Sequence, residues 1–472
     1  MQITKMTEII YDYFTSRIKF GYFKKGERLP SIPNIRKQFG VSALTVRTVL
    51  KQMKEEGYIE TTERTPATVI FQPDEQSEQQ YIEYFLSHKD GMDDICRSSD
   101  IIFGPIIQLY FQKQDKASLK RMQSKLRKAS SHTVKPIIMF YADAIQSLNN
   151  SLILNLHWEM ARYLSIPYLR PPLNFEDSNA QAMDHIRQIL QLLVTNQAGQ
   201  AARETELFNE GVIYQFLKRL ESLYTPGEPI GQIPFHWHIY REHPQLCYTI
   251  AAEIMSKVDR QVYEQGEFLP SCKALSIEYG VSFITARRTV SLLNEMCITE
   301  SLNGIGARII SESSSASPDL QHPQIQRALS LFLQSLHLGS LTCKNAAIHT
   351  LSSLESFQSL EHEIQSLINT EKTYFTGGTC LRFIGDNSPS PFIKEVYKQV
   401  YHLLLWGYSL HRFYKTPENI NYYETSSIKL LENLQNRDIE AFADLLSELL
   451  SSGLNTTRDI LIQLGINEKE LI

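Results

Sequence analysis

Cysteine is sparse in this chain: Cys96, Cys247, Cys272, Cys297, Cys343 and Cys380 make six in 472 residues, with no Cys-x-x-Cys pair. A disulfide scaffold or a zinc framework needs closely spaced cysteines, so neither is expected, and reduced thiols suit a cytoplasmic address. Long apolar runs are missing as well, and none approaches the roughly 20 residues that cross a bilayer. The N-terminus has no basic-then-apolar signal pattern. Charge of one sign is not in excess, since 47 Lys and Arg face 52 Asp and Glu for a net charge of -5. That excludes a chain coating nucleic acid over its whole surface, yet it leaves room for local basic patches. No phosphate-binding glycine loop, Gly-x-Ser-x-Gly elbow or supported carboxylate pair occurs, so an enzyme is not expected.

What is present begins with length. A chain of 472 residues exceeds one ordinary core, so about three or four domains are expected. An internal repeat then sets the organisation. Leu29-Pro30-Ser31 returns as Leu269-Pro270-Ser271, 240 residues on, each preceded by Gly-Glu. Phe39-Gly40-Val41-Ser42 returns as Tyr279-Gly280-Val281-Ser282, and Thr45 with Arg47 as Thr285 with Arg287, without a gap.

Each copy reads as helix, short strand, helix, turn, helix and hairpin. Met6, Ile10, Tyr13, Phe14 and Ile18 form a helical apolar stripe. Ser31 is placed to cap a short helix with Ile32, Ile35 and Phe39 inward, and Gly40 permits a tight turn. Ser42 caps a third helix that buries Val46, Val49, Leu50 and Met53. Ala43, Thr45, Arg47, Thr48 and Lys51 are left on other faces, near the N-terminus where a recognition helix meets base edges. Tyr58–Thr62 and Ala67–Phe71 read as the wing. In the second copy Ser271 and Ser282 are the caps, and Thr285, Arg287, Arg288 and Ser291 lie on the corresponding face. Its wing, Ile298–Leu302 and Ala307–Ile310, turns through Asn303-Gly304-Ile305-Gly306. The copies are electrically unequal: residues 1–72 hold twelve basic and seven acidic side chains, residues 245–311 six and seven.

The Leu-Pro-Ser and Gly-Val-Ser-x-x-Thr-x-Arg segments make the unit resemble the winged-helix head of the GntR family of bacterial repressors. The resemblance implies DNA binding by the third helix, with Ser42, Thr45 and Arg47, and Ser282, Thr285 and Arg287, at matching contact positions. The candidate DNA-binding set is Ser31, Ser42, Thr45, Arg47, Thr48 and Lys51 in one copy and Ser271, Lys273, Ser282, Thr285, Arg287 and Arg288 in the other. There are departures. Ile32-Pro33 and Cys272-Lys273 stand where the family usually has Glu-Arg, Ala43 and Phe283 where an arginine is common, and Arg64 and Pro66 where the wing usually has glycines.

Polar residues 72–80 and Ser-rich residues 312–323 read as linkers, each followed by about 150 residues of helical periodicity. Helices are expected over Leu119–Lys128, Ile137–Tyr163, Met183–Leu193, Phe208–Leu223, Ile325–Leu336, Leu351–Ile368, Phe392–Leu410 and Ser426–Leu450. The spacing is similar to the all-helical effector domain, called FCD, of one GntR subfamily, which implies a ligand pocket near Tyr141, Asn150 and His185. The metal set of that domain is not intact, with Ile137 and Tyr141 at two ligand positions and Ser427 near the one matched by His185. No metal or other cofactor is expected. His236-Trp237-His238 and His243 fit a covered domain junction better than a chelate.

The expected fold is mainly α. Two winged helix-turn-helix domains (1–72 and 245–311) are each followed by a helical domain (81–224 and 324–472), with a hinge at 225–244. The expected function is a cytoplasmic transcription regulator, with double-stranded DNA as partner at an imperfect palindrome or direct half-sites. A small-molecule effector is a further expected partner, and no membrane is. Whether one chain acts alone or two pair as a homodimer stays open, as does a scaffold descended from such a regulator that no longer binds DNA.

Overall fold

The computed structural model describes residues 3–19, 23–62, 65–72, 75–115, 144–164, 230–239, 246–259, 262–310, 322–407 and 416–463, with scattered residues between 117–124 and 184–222 and residues 410 and 465. Two compact units divide the chain, Met1–Trp237 and His238–Ile472.

The first unit opens with α1 (Ile3–Lys19), α2 (Ile32–Phe39) and α3 (Ala43–Glu55). Ile10, Tyr13, Phe14 and Ile18 from α1 meet Ile35 and Phe39 from α2 and Val46, Val49 and Met53 from α3 in one core. Gly40 ends α2 in the left-handed region at φ 65°, its N–H donating to the Arg36 carbonyl. That is a helix stop which a side chain would strain. A small sheet closes the core. β1 (Ile59–Glu60) and β2 (Thr68–Val69) pair antiparallel, Ile59 opposite Val69, and Leu29 N–H donates to the Ala67 carbonyl at 2.8 Å.

Two expectations change beyond this module. Residues 72–80 are not all linker, because α4 (Glu75–Ser87) begins within them, and α5 (Lys89–Gln112) follows with Pro105 in its interior. The single helix expected over Ile137–Tyr163 is interrupted in its described part. Asn149 adopts φ 53°, and α6 (Ser151–Leu164) starts after it. Asn150 Oδ1 accepts from the N–H groups of Leu152 and Ile153, each at 3.1 Å, so α6 has a side-chain cap of its own. α6 shares the N-terminal core. Trp158 is buried against Phe39, ring centroids 4.6 Å apart, and Arg162 reaches Asp12 on α1 at 3.0 Å. The expected helices over Leu119–Lys128, Met183–Leu193 and Phe208–Leu223 lie largely outside the described residues.

The second unit starts with the same order of elements: α7 (Leu246–Asp259), α8 (Cys272–Glu278), α9 (Phe283–Glu295), β3 (Thr299–Leu302) and β4 (Gly306–Ile309). Hydrogen bonds recur at the 240-residue offset. Leu269 N–H donates to Ala307 O at 2.8 Å, and the Arg28–Thr68 bridge is matched by Phe268–Arg308.

A helical bundle follows: α10 (Pro323–Leu351), α11 (Gln358–Asn369), a 3-10 turn (Thr373–Phe375), α12 (Thr376–Asn387), α13 (Pro391–Leu404), α14 (Pro417–Gln435) and α15 (Ile439–Gln463). α13 and α14 each begin with Pro after a capping hydroxyl: Ser390 Oγ accepts from Ile393 N–H at 3.1 Å and Thr416 Oγ1 from Asn419 N–H at 3.2 Å. α10 is longer than the expected Ile325–Leu336, because Leu338, Cys343, Ala346 and Ala347 continue its buried stripe. The helix expected over Ser426–Leu450 is two helices, α14 and α15, parted at Asn436–Asp438 with Arg437 at φ 57°. The bundle buries polar pairs as well as apolar ones. Tyr397 and Thr342 hydroxyls lie 2.8 Å apart, and those of Thr376 and Ser427 2.7 Å. Ser427 therefore serves the core. Among the described residues, no helix is long and apolar enough to cross a membrane.

Candidate nucleic-acid interface

The interface is built by α2, the turn at Gly40, and α3. Periodicity of 3.6 turns Val46, Val49, Leu50 and Met53 inward, and the opposite stripe carries Leu44, Arg47, Thr48 and Lys51. All four are exposed, Leu44 by 64%. Arg47 is free to reach outward. Lys51 pairs loosely with Glu55 at 3.7 Å, an exposed contact worth little, and Thr48 Oγ1 donates back to the Leu44 carbonyl at 3.0 Å.

Ser42 and Thr45 have a different task from the surface residues. Ser42 Oγ accepts from Thr45 N–H at 3.1 Å and lies 2.9 Å from Thr45 Oγ1. Thr45 is only 2% exposed. The open position expected for Thr45 is thus corrected: its side chain belongs to the cap that orients α3. Ser31 departs from expectation too. It holds the N-cap position of α2 with extended backbone but makes no side-chain cap bond. Pro33, the second residue of that helix, has no N–H to offer, which removes one of the two usual donors. Ser271 has no such obstacle and accepts from Ala274 N–H at 3.2 Å.

Three exposed cations, Arg28, Arg36 and Lys37, were not singled out from sequence. Their signal was the basic tally of residues 1–72, which gives no direction to any one side chain. Arg28 borders the wing through its bridge to Thr68. Arg17 is the opposite case: it is buried, its guanidinium 3.3 Å from the centre of the Tyr13 ring. Arg64 lies outside the described residues.

In the second unit the matching stripe on α9 is Ile284, Arg287, Arg288 and Ser291, all exposed. Ser282 Oγ accepts from Thr285 N–H at 3.1 Å and lies 2.9 Å from Thr285 Oγ1, repeating the first cap. Lys273 is exposed on α8. The surface around these groups is more apolar, with Ile277 75%, Ile284 64%, Phe283 54% and, at the wing tip, Ile305 70% exposed. The wing is longer, running from Thr299–Ile309 to Leu302–Gly306, and Arg308 Nε donates across it to Glu300 at 3.0 Å.

The other candidates fall elsewhere. Tyr141, Ile137 and His243 lie outside the described residues. Asn150 is buried and caps α6. His185 Nδ1 stands 2.5 Å from Glu204 Oε1, whose partner oxygen accepts from Gln188 at 3.1 Å. His236 and His238 are exposed, while Trp237 is buried with its indole N–H on Asn155 at 2.9 Å. Among the described residues, no group of three His, Cys, Asp or Glu side chains could hold a metal ion.

Three helices, a bridged strand and a hairpin wing, with an outward arginine on the third helix, define a winged-helix DNA-binding module. Residues 6–69 match the family described as bacterial regulatory proteins, gntR family, so the N-terminal module is a GntR-type winged-helix DNA-binding domain. A comparison with curated proteins gives no match. Two solved structures are similar to part of the chain. One is described by the words "Lar controls the expression of the Listeria monocytogenes agr system and mediates virulence"; it is 13% identical, covers 47% of this chain and 99% of its own, with a TM-score of 0.23. The other is Streptococcus agalactiae GntR, 15% identical, covering 44% and 99%, with a TM-score of 0.20.

Proposed function

We propose that the protein is a sequence-specific transcription regulator that reads DNA with two winged-helix heads carried on one chain. The observation behind the second head is the recurrence, 240 residues on, of the Ser-Thr cap and the Leu-to-Ala strand bond. Arg47 and Arg287 contact bases or phosphates, and Arg36, Lys37 and Lys51 add to the electrostatic footing of the N-terminal head. Because the two recognition stripes differ, the preferred operator is an imperfect palindrome or a pair of unequal half-sites. The GntR resemblance carries repression as the expected sign, with a small molecule in the helical domains shifting the population of binding-competent molecules. Duplexes selected from a random pool, followed by binding assays of Arg47→Ala and Arg287→Ala, test the assignment. Undiminished affinity in both variants would sink it.

One observation favours a second reading for residues 246–310. The apolar exposure of Ile277, Phe283 and Ile284 suits a protein-contacting module that has left DNA reading to the N-terminal head. Loss of DNA binding in Arg47→Ala alone, with Arg287→Ala unchanged, would select this reading.

A further inference from the structure

On α3 and α9 the side chains that recur at the 240-residue offset fall into two groups. Ser42 with Ser282 and Thr45 with Thr285 are explained by folding, since they form the caps. Val46 with Ala286 and Leu50 with Val290 are explained by the core. The outward stripe has no such duty, and two of its four positions keep their chemistry: Arg47 returns as Arg287, and Leu44 as Ile284. The other two change, Thr48 to Arg288 and Lys51 to Ser291. An arginine kept on a recognition helix needs no further reason. A branched apolar side chain left 64% exposed at the same place in both modules does.

Position and surroundings say what these side chains meet. Leu44 and Ile284 are the second residues of their helices, in the turn that a helix-turn-helix brings to base edges. The stripe headed by Leu44 carries Arg47 and Lys51, and α2 exposes Arg36 and Lys37. Among the described residues of the N-terminal module, Ile70 is the one other large hydrophobic side chain open to solvent. A lone apolar group on a cationic face does not suit a protein contact, whose centre is depleted in charge. It suits the major groove. There phosphates flank the base edges, and thymine alone among the four bases presents a methyl group.

We propose that Leu44 reads the C5 methyl of a thymine in the major groove, and that Ile284 does the same in the other half-site. The Leu44 assignment rests on the N-terminal module meeting DNA through α3, and the Ile284 assignment on the two-headed reading. Ile284 follows the exposed Phe283, and Ile277 is exposed as well, so the two residues are tested separately. Burying one methyl group against an apolar side chain is worth a factor of about four in affinity. An arginine on a phosphate positions the helix without reading sequence, so the methyl contact supplies discrimination of its own.

The full chain is bound at equilibrium to a duplex selected from a random pool. It is then bound to copies in which each thymine in turn is replaced by deoxyuridine, which pairs identically and lacks only the methyl. Replacement of one thymine in each half-site should weaken binding about fourfold, and replacement elsewhere should have little effect. Leu44→Ala should lose the uracil penalty at one of these positions and Ile284→Ala at the other. Both should keep the melting temperature, because both side chains are exposed. The uracil series on the unmodified protein decides even where a variant folds poorly. Half-sites selected without thymine, a duplex indifferent to every replacement, or penalties unaltered in both variants overturn the proposal. A penalty that only one variant abolishes overturns the assignment of the other residue. A chain that selects no duplex, or one whose affinity survives both Arg47→Ala and Arg287→Ala, overturns the regulator reading. Affinity that falls in Arg47→Ala yet ignores uracil overturns the methyl contact and leaves that reading standing.

Discussion

Arg47 and Thr45 stand two residues apart and differ in consequence. Arg47 is exposed, so Arg47→Ala should leave thermal stability unaltered and weaken binding to a selected duplex by about 1–3 kcal/mol. Thr45 is buried in the Ser42 cap. Replacing Ser42 with Ala should cost about 1 kcal/mol of stability, read by urea unfolding, with the effect on DNA following from a less ordered α3. His88 gives a pH-dependent case. It is buried beside Tyr84, rings 4.1 Å apart with Nδ1 2.7 Å from the Tyr84 carbonyl, and burial followed by the Arg162 charge depresses it despite that carbonyl. Its folded state stays neutral where the unfolded chain takes up a proton. Its contribution is therefore full above the ordinary value of 6.5 and is lost as pH falls through the depressed folded value. His88→Gln should flatten the fall in stability that sets in as pH drops below 6.5; a slope unaltered in the variant would contradict this.

At the scale of elements, the N-terminal module was legible because each signal was local. Leu29-Pro30, Gly40 and Ser42 are turn and cap residues whose chemistry does not depend on the rest of the chain. Asn149 and Arg437 carry no such signal: they break helices by adopting positive φ where neither glycine nor proline marks the spot. The burial of Thr45 is not legible either, since periodicity assigns a face but not what the neighbouring cap does with a hydroxyl. The α6 contact is equally hidden. Trp158 joins a core built from residues far before it in the chain, and only tertiary packing reveals that. Trp158→Ala should therefore destabilise the N-terminal module and α6 together, by about 3–5 kcal/mol, in one cooperative transition. Independent melting of the two segments would refute the shared core.

For the whole molecule, the two modules share a frame and differ in surface. The first presents Leu44, Arg47, Thr48 and Lys51 and carries further cations at Arg28, Arg36 and Lys37. The second presents Ile284, Arg287, Arg288 and Ser291 beside Phe283 and Ile277, and its wing arginine is tied to Glu300. Salt dependence should therefore follow the first module: Arg47→Ala should lower the slope of log affinity against log salt by about one if the contact is to phosphate. The measurement that bears most directly on a two-headed chain is equilibrium binding to a selected duplex, intact and with either half-site scrambled, for the unmodified protein, Arg47→Ala and Arg287→Ala. Scrambling either half-site should weaken binding, and each variant should become insensitive to scrambling one of them. Affinity that depends on a single half-site, with Arg287→Ala binding like the unmodified chain, would contradict it.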